Sequence, residues 1–335
     1  MKNSSSASIA EPSKETVLSP DTSSDSSRRA KAYIKHGRVC RKSEDFRRAI
    51  EDFSQAIRLE PSNPRPFLER GHVHYDMGRY DLGIADYGRA IALDPSDSFA
   101  YFCRARAFGR LEDYELAIED YSECIRLRPD ISVAYVARGN AYCAKGEDYN
   151  GIADYSTAIE LDPSDAGAYY NRGLAYRSLE DFASAIADFT QGIWLNPNDA
   201  RVFYDRANAH LNLENFSQAI GDYSHAIELD PRFKIAYNNR GVAHCKMGEY
   251  ELGIADFDSA IAINPKNEGA YFNRGNALKE LGNYVAAIAN YTKVTMLNPD
   301  FGHAFHSRGL TYQTIGDITK ASADFEMANK LGYYN

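Results

Sequence analysis

The chain has 335 residues, with 38 Lys and Arg against 47 Asp and Glu, which gives a formal net charge of −9. A pI near 5.5 argues against general nucleic-acid binding, because that function needs a basic surface. No apolar run approaches the roughly 18–20 residues that span a bilayer. Five cysteines without a C-x-x-C pair are typical of a reducing compartment, so we expect a cytoplasmic protein.

The segment before Ala30 contains ten Ser, two Pro and few large apolar side chains. Such a segment buries too little surface to offset its chain entropy, and it lacks the apolar core of a signal peptide. We therefore predict a disordered tail over residues 1–29. Its acidic, hydroxyl-rich stretch, residues 21–27, suggests a hypothesis: the tail folds back onto basic residues of the array, and more strongly when phosphorylated.

From residue 30 onward a 34-residue unit repeats nine times, so that residues 30–335 form a single array. Positions within each repeat are counted from 1 to 34, and repeat 1 begins at residue 30. Position 32 is proline in the first eight repeats: Pro61, Pro95, Pro129, Pro163, Pro197, Pro231, Pro265 and Pro299.

The seventh repeat shows the structure of the unit. Tyr237 and Gly241 are spaced i, i+4 on the apolar side of a first helix, and a second helical stripe begins at Tyr250. Between them Gly248 can take the left-handed conformation that ends a helix, and Pro265 cannot continue the second helix. Each repeat is therefore predicted to be a helix–turn–helix hairpin.

Small and aromatic residues recur at fixed positions. Position 8 is Gly or Ala, position 20 is Ala or Gly, and position 24 is always aromatic. The aromatic residues are Phe53, Tyr87, Tyr121, Tyr155, Phe189, Tyr223, Phe257, Tyr291 and Phe325. With the proline at position 32, this pattern resembles the tetratricopeptide repeat family over all of residues 30–335. The resemblance implies an all-α, right-handed superhelical solenoid whose first helices line a concave groove, and a scaffold for partners rather than an enzyme.

Two charged positions depart from the family pattern. Position 7 is Arg in eight repeats: Arg70, Arg104, Arg138, Arg172, Arg206, Arg240, Arg274 and Arg308. Position 23 is Asp in eight repeats: Asp52, Asp86, Asp120, Asp154, Asp188, Asp222, Asp256 and Asp324. We predict that these residues form a ladder of Arg–Asp pairs with a structural role, because catalytic pairs do not recur in repeat after repeat.

The resemblance implies that positions 2, 5, 6, 9, 12 and 13 lie on the concave face. In repeats 1–3 this face is basic and carries an aromatic residue; the candidates are Arg38, Arg65, Arg106 and Phe102. In repeats 4–8 it carries amides and aromatic rings: Asn140, Asn171, Asn208, Asn239, Asn273, Asn276, Tyr170, Tyr204 and Phe272.

Because Asn both donates and accepts, a row of asparagines can pair with the main chain of an extended peptide. The row resembles the asparagine ladder of the O-linked N-acetylglucosamine transferase superhelix. It indicates an adaptor that binds extended, including acidic, segments of other proteins. Two alternatives stay open: the asparagines hydrate the groove or bond across repeats, or the array is a structural module that self-associates or binds through its ends or convex face.

Known catalytic and nucleotide-binding motifs are missing from the sequence, so no cofactor is expected. His74, His210 and His244 at position 11 are expected to pack between helices. His303 and His306 lack a third ligand, so no metal is expected. A carboxylate clamp is rejected because Asp205 would oppose the ligand's charge.

Three local features carry further expectations. The turn aromatic of repeat 4 is shifted by one residue to Tyr149, which predicts a reshaped turn. Trp194 is expected to pack on its neighbours. Ser322 and Asn329 in the last repeat replace apolar residues and are expected to face solvent.

Overall fold

The computed structural model describes residues 22–333. These residues form two compact units, one ending at Pro129 and the other beginning at Asp130. Within the described residues there are 18 α-helices and no strands. The first unit contains α1 Thr22–Lys42, α2 Phe46–Leu59, α3 Pro64–Asp76, α4 Tyr80–Leu93, α5 Ser98–Arg110 and α6 Tyr114–Leu127. The second contains α7 Ser132–Ala144, α8 Asp148–Leu161, α9 Ala166–Ser178, α10 Phe182–Leu195, α11 Ala200–Asn212, α12 Phe216–Leu229, α13 Lys234–Lys246, α14 Tyr250–Ile263, α15 Glu268–Glu280, α16 Tyr284–Leu297, α17 Gly302–Thr314 and α18 Ile318–Lys330.

Each repeat is one hairpin, as the sequence predicts. We call the odd-numbered helices A helices and the even-numbered helices B helices. Within each unit, every A helix packs on the B helix that follows it and on the next A helix. The fold is therefore an all-α tandem array of helix–turn–helix repeats.

In each hairpin the small residue at position 8 packs against the aromatic ring at position 24. A Cβ added at Gly71 would lie 2.7 Å from the ring of Tyr87, and one added at Gly173 would lie 2.7 Å from that of Phe189. Both rings are buried. Position 8 is thus small because the aromatic residue at position 24 already occupies the space beside it.

The first helix begins earlier than the sequence predicts. It starts at Thr22, so the expected disorder of residues 22–29 is wrong, and residues 1–21 lie outside the described part of the chain. Ala30 and Ile34 are buried in the first core, and the helix they anchor continues back over the serines.

Ser27 shows what the start of this helix contacts. Hydrogen bonds from Asn63 and from Ser27 lower the pKa of the Glu60 carboxyl at the end of α2. Residues 22–27 are the first turns of α1, and Ser26 and Ser27 lie beside Leu59 and Glu60 at the end of α2. The rest of the tail in the fold-back hypothesis, residues 1–21, lies outside the described part of the chain.

The turn of repeat 4 is not reshaped. Gly146 has φ 82° and α8 begins at Asp148, just as Gly248 has φ 81° two residues before α14 begins. The backbone keeps its conformation and only the side chains differ. Asp148 takes the place of the usual aromatic residue and accepts a hydrogen bond from the Ser178 hydroxyl at 2.6 Å, while Tyr149 is 77% exposed.

Candidate peptide-binding surface

The Arg–Asp ladder exists with the predicted pairing. In repeat 5, Arg172 Nε and Nη2 donate to the two oxygens of Asp188, both at 2.8 Å, and the carboxylate is buried. Hydrogen bonding to Asp188 raises the pKa of Arg172. Seven repeats have such a bidentate pair: Arg70–Asp86, Arg104–Asp120, Arg138–Asp154, Arg172–Asp188, Arg206–Asp222, Arg240–Asp256 and Arg308–Asp324.

The same arginine also reaches the preceding repeat. Arg172 Nη1 donates to the Ser156 hydroxyl on α8 at 2.9 Å, and its guanidinium lies 5.7 Å from the ring centroid of Tyr169. Arg240 repeats this arrangement with Ser224. In repeats 2, 5, 6, 7 and 9 the rung therefore joins the two helices of one repeat to the B helix before it.

Two repeats depart from the ladder. In repeat 8, Arg274 Nε donates to Asn290 Oδ1 at 2.9 Å, and Nη1 bonds Asp258 on the preceding B helix. In repeat 1, His36 stands at position 7 and its Nδ1 lies 2.6 Å from Asp52 Oδ2. The histidine replaces a two-bond contact with a single one.

We call the six asparagines predicted on the A helices the asparagine row; its members are Asn140, Asn171, Asn208, Asn239, Asn273 and Asn276. The structure brings neighbouring members together. Asn140 Oδ1 accepts from Asn171 Nδ2 at 3.2 Å, and Asn208 Oδ1 accepts from Asn239 Nδ2 at 3.1 Å. The alternative that these residues bond across repeats is therefore correct for these two pairs. Asn273 bonds a different amide, that of Asn238, at 3.2 Å.

Tyrosines at position 24 orient the row from below. Tyr155 donates its hydroxyl hydrogen to Asn140 Oδ1 at 2.7 Å, and Tyr223 and Tyr291 do the same for Asn208 and Asn276. These bonds occupy the amide oxygens of the three position-9 asparagines, and none of them uses the Nδ2 hydrogens. The row thus presents amide donors in a fixed orientation on a partly exposed surface.

Two cavities open along this row. One, of about 310 Å³, is lined by Asn140, Cys143, Asp148, Tyr155, Asn171, Leu174, Ala175 and Ser178. The other, of about 390 Å³, is lined by Val242, Cys245, Lys246, Tyr250, Phe257, Asn273, Asn276, Ala277 and Glu280. Each cavity combines two members of the row with apolar walls, which is the composition of a binding pocket.

The three aromatic candidates, Tyr170, Tyr204 and Phe272, contact other side chains of the protein. The Tyr170 hydroxyl donates to the buried Asp205 at 2.8 Å, and burial raises the pKa of Tyr170. The ring centroid of Tyr204 lies 4.9 Å from that of Phe233, and the ring centroid of Phe272 lies 5.2 Å from that of Phe301. Tyr170 thus bonds the next repeat, whereas the rings of Tyr204 and Phe272 pack against the aromatic residue at the end of their own repeat.

The basic candidates of the first unit are separated. Arg38 lines a cavity of about 650 Å³ together with Lys35, Val39, Arg41, Lys42, Glu69 and Asp76. Arg106 instead lies over the ring of Tyr75, 4.9 Å from its centroid, and Phe102 packs beside Phe99. Arg65 is exposed at the start of α3. The structure thus places Arg38 in the cavity, while Arg65 and Arg106 do not line it.

The cavity's two carboxylates each pair with an arginine. Glu69 is buried and accepts from Arg38 Nε at 2.6 Å, and Asp76 accepts from Arg41 Nε at 2.6 Å. Burial would raise the pKa of Glu69, but hydrogen bonds from His72 and Arg38 outweigh it and lower the pKa to about 2. Four basic side chains still face two carboxylates, so the cavity keeps an excess of positive charge.

The structure agrees with some of the remaining expectations and contradicts the one for Trp194. His74 is buried, and desolvation lowers its pKa, as expected for a packing residue. His303 and His306 both pack on Tyr333. Ser322 is exposed as expected. The packing role of Trp194 is wrong, because its side chain on α10 is 74% exposed.

Tandem helical hairpins with a partly exposed A-helix surface define a helical-repeat scaffold. Models described as TPR repeat match residues 37–78 and 139–179, and models described as Tetratricopeptide repeat match residues 68–130, 166–199, 200–233, 235–267 and 269–301. The chain belongs to the tetratricopeptide repeat family, a scaffold for protein–protein interaction. No helix within residues 22–333 is both long enough and apolar enough to cross a membrane.

Solved structures share the fold. The C-terminal part of a TPR repeat-containing protein from Cytophaga hutchinsonii is 19% identical, with a TM-score of 0.63 over 72% of this chain and 98% of that one. A tetratricopeptide repeat protein from Parabacteroides merdae is 19% identical, with a TM-score of 0.54 over 74% and 98%. YrrB, described as a TPR protein with an unusual peptide-binding site, is 22% identical, with a TM-score of 0.50 over 55% and 95%. A search of curated proteins found no match.

Proposed function

We propose that this protein is a non-catalytic, cytoplasmic adaptor that holds an extended segment of another protein against the A helices of its second unit. The observation that supports this most strongly is the asparagine row. Tyr155, Tyr223 and Tyr291 fix the amide oxygens of Asn140, Asn208 and Asn276, and this leaves the amide hydrogens for a ligand. YrrB has the same fold and a peptide-binding site, which agrees with this use of the fold.

The chemistry favours main-chain recognition. Position-9 asparagines offer N–H donors. Asn171 Oδ1 adds an acceptor, and so does the second lone pair of Asn239 Oδ1, which also accepts from Asn238 Nδ2 at 3.2 Å. Both polar groups of a peptide unit therefore find partners. Each hydrogen bond contributes about 0.5–1.5 kcal/mol net. Ordering the peptide offsets much of that gain, so we expect about micromolar affinity with broad sequence tolerance.

The first unit contributes charge selectivity. Its basic cavity, with Lys35 and Lys42 exposed beside the Arg38–Glu69 pair, suits an acidic side chain of the bound protein. Because Glu69 and Asp76 already neutralise two arginines, we expect a preference for acidic segments rather than a strict requirement. This preference weakens as salt screens the charges.

The test uses a peptide selected by this protein from a random display library and labelled for fluorescence anisotropy. Replacing Asn140, Asn208 and Asn276 together by Ala removes the donors that the tyrosines orient and should weaken binding at least tenfold. The control replaces Asn150, Asn198 and Asn329, which are exposed and lie outside the A helices. Equal affinity of the two triple variants, both folded by circular dichroism, would overturn the proposal.

A second candidate, assembly through the B-helix side, is favoured by one observation. Trp194, Val285 and Met296 on B helices are 74%, 78% and 72% exposed, and large exposed apolar side chains are enriched at protein interfaces. Light scattering across a range of concentrations tests self-association through this side. A strict monomer at every concentration would exclude it.

A further inference from the structure

The first rung of the ladder differs in chemistry from the others. Position 7 is His36 rather than Arg, Asp52 remains at position 23, and Cys40 stands one helical turn after the histidine. His36 Nδ1 lies 2.6 Å from Asp52 Oδ2, Cys40 Sγ lies 3.7 Å from the same nitrogen, and Sγ lies 4.0 Å from the same oxygen. Among the described residues, these three form the one group whose donor atoms converge closely enough to share a metal ion.

One side of this group of three residues is buried, and the other side is open to solvent. Cys40 is 6% exposed and packs in the first core, whereas the His36 side chain is 63% exposed. Asp45 and Arg48 are the other charged groups near the thiol, and they form a salt bridge with each other at 3.4 Å. An ion can therefore enter from solvent, and one of its coordination positions then faces the solvent.

The donor distances suit a tetrahedral ion. Zinc bonds of about 2.0–2.3 Å place nitrogen and oxygen ligands about 3.3 Å apart, and sulfur about 3.6 Å from either. The observed spacings around Cys40 are close to these values. The nitrogen–oxygen spacing is shorter because a proton lies between the two atoms, and turning the exposed His36 ring would open it.

We propose that His36, Cys40 and Asp52 form a binding site for a borderline transition-metal ion such as Zn²⁺, with a fourth position open to water or to a partner's ligand. Binding releases the Cys40 thiol proton, while the neutral His36 ring carries its proton on Nε2 so that Nδ1 is free to bind, and the ion bridges α1 and α2 in place of the direct His36–Asp52 contact. Mixed nitrogen, sulfur and oxygen ligands favour Zn²⁺ and Co²⁺ over Mg²⁺ or Ca²⁺. The site is independent of the asparagine row.

The test titrates Co²⁺ into the untagged full-length chain and records the thiolate-to-cobalt absorption band and the visible bands of tetrahedral Co²⁺. We expect both bands in the parent protein and their loss on adding Zn²⁺, which displaces Co²⁺. The variant Cys40→Ser should lose the thiolate band. The control Cys124→Ala removes another thiol of the same unit and should keep it.

The variant His36→Arg separates metal binding from folding. It restores the residue that stands at position 7 in the other eight repeats, so the metal-free protein should keep or raise its Tm while the cobalt bands disappear. Zn²⁺ should raise the Tm of the parent and leave that of His36→Arg unchanged. A parent protein without a thiolate band, or a band of equal strength in Cys40→Ser or His36→Arg, would overturn the proposal.

Discussion

At the scale of single residues, the Arg–Asp pairs combine a bidentate contact with a buried carboxylate. Arg240 donates two bonds to Asp256, whose side chain is nearly inaccessible. Replacing Arg240 by Ala leaves a buried carboxylate without its partner. We expect a loss of about 3 kcal/mol in the free energy of unfolding, measured by urea denaturation.

The matched control for that prediction is a pair that faces solvent. Arg47 and Glu51 on α2 lie 3.2 Å apart, with the Arg side chain 90% exposed. Replacing Arg47 by Ala should leave the urea midpoint almost unchanged, because water screens exposed ion pairs. Similar losses for both variants would show that the ladder contributes no more than a surface contact.

The lowered pKa of Glu69 predicts how the stability of the fold depends on pH. Its pKa is lowered from 4.5 to about 2, so its contribution is present above the unfolded pKa and is lost as the pH falls through the folded pKa. We expect up to about 3 kcal/mol from this group to disappear between about pH 5 and pH 2. Thermal unfolding of Glu69→Gln should show a shallower acid loss than the parent. Parallel pH curves for the two proteins would contradict the assignment.

Sequence spacing predicted the Arg–Asp pairs but not the partners of the asparagines. A guanidinium and a carboxylate that recur at one fixed separation in seven of the nine hairpins have few other partners available. An amide on a helix face can bond water, a peptide or another amide, and its spacing does not distinguish these. One signal does exist: Asn140, Asn208 and Asn276 occur in repeats with Tyr at position 24, whereas Leu174 and Val242 occur in repeats with Phe there.

At the scale of elements, every hairpin turn depends on one backbone conformation. Position 15 has a positive φ in all nine turns of the described chain, and it is glycine in five of them. The other four are Glu44, Glu112, Glu180 and Glu214, with φ between 58° and 63°. A residue with a Cβ is strained in this conformation by about 1–2 kcal/mol.

Replacing Glu180 by Gly should relieve that strain. Because glycine also gains freedom in the unfolded chain, we expect a net stabilisation of at most about 1 kcal/mol. The reverse change, Gly248→Glu, should destabilise by a similar amount. Differential scanning calorimetry measures both, and a lower Tm for Glu180→Gly would show that its side chain makes a contact that outweighs the strain.

Element boundaries were predictable wherever local signals act. The prolines, the turn residues and the 34-residue period predicted nine hairpins, which correspond to the 18 helices of the described chain. The start of α1 was not predictable, because serine-rich composition favours disorder and only the burial of Ala30 and Ile34 against α2 extends the helix. The turn of repeat 4 was also mispredicted, because its conformation depends on Gly146 rather than on the aromatic residue that follows.

At the scale of the whole molecule, the array carries a second period of two repeats. Tyr-supported asparagines occur in repeats 4, 6 and 8, and the intervening repeats 5 and 7 supply Asn171 and Asn239 to bond them. The binding unit of the proposed adaptor is therefore a pair of hairpins rather than one. This arrangement predicts that ligand contacts recur with every second repeat along the second unit.

The most direct test of main-chain recognition is a titration with a selected peptide and with analogues of it that are N-methylated at single peptide bonds. Methylation removes a donor and leaves the side chains intact. We expect at least a tenfold loss of affinity at several bonds for the parent protein. A variant with Asn171, Asn239 and Asn273 replaced by Ala lacks amide acceptors for the peptide N–H groups and should show little difference between the analogues. Undiminished binding of every methylated analogue to the parent protein would contradict recognition of the peptide main chain by the asparagine row.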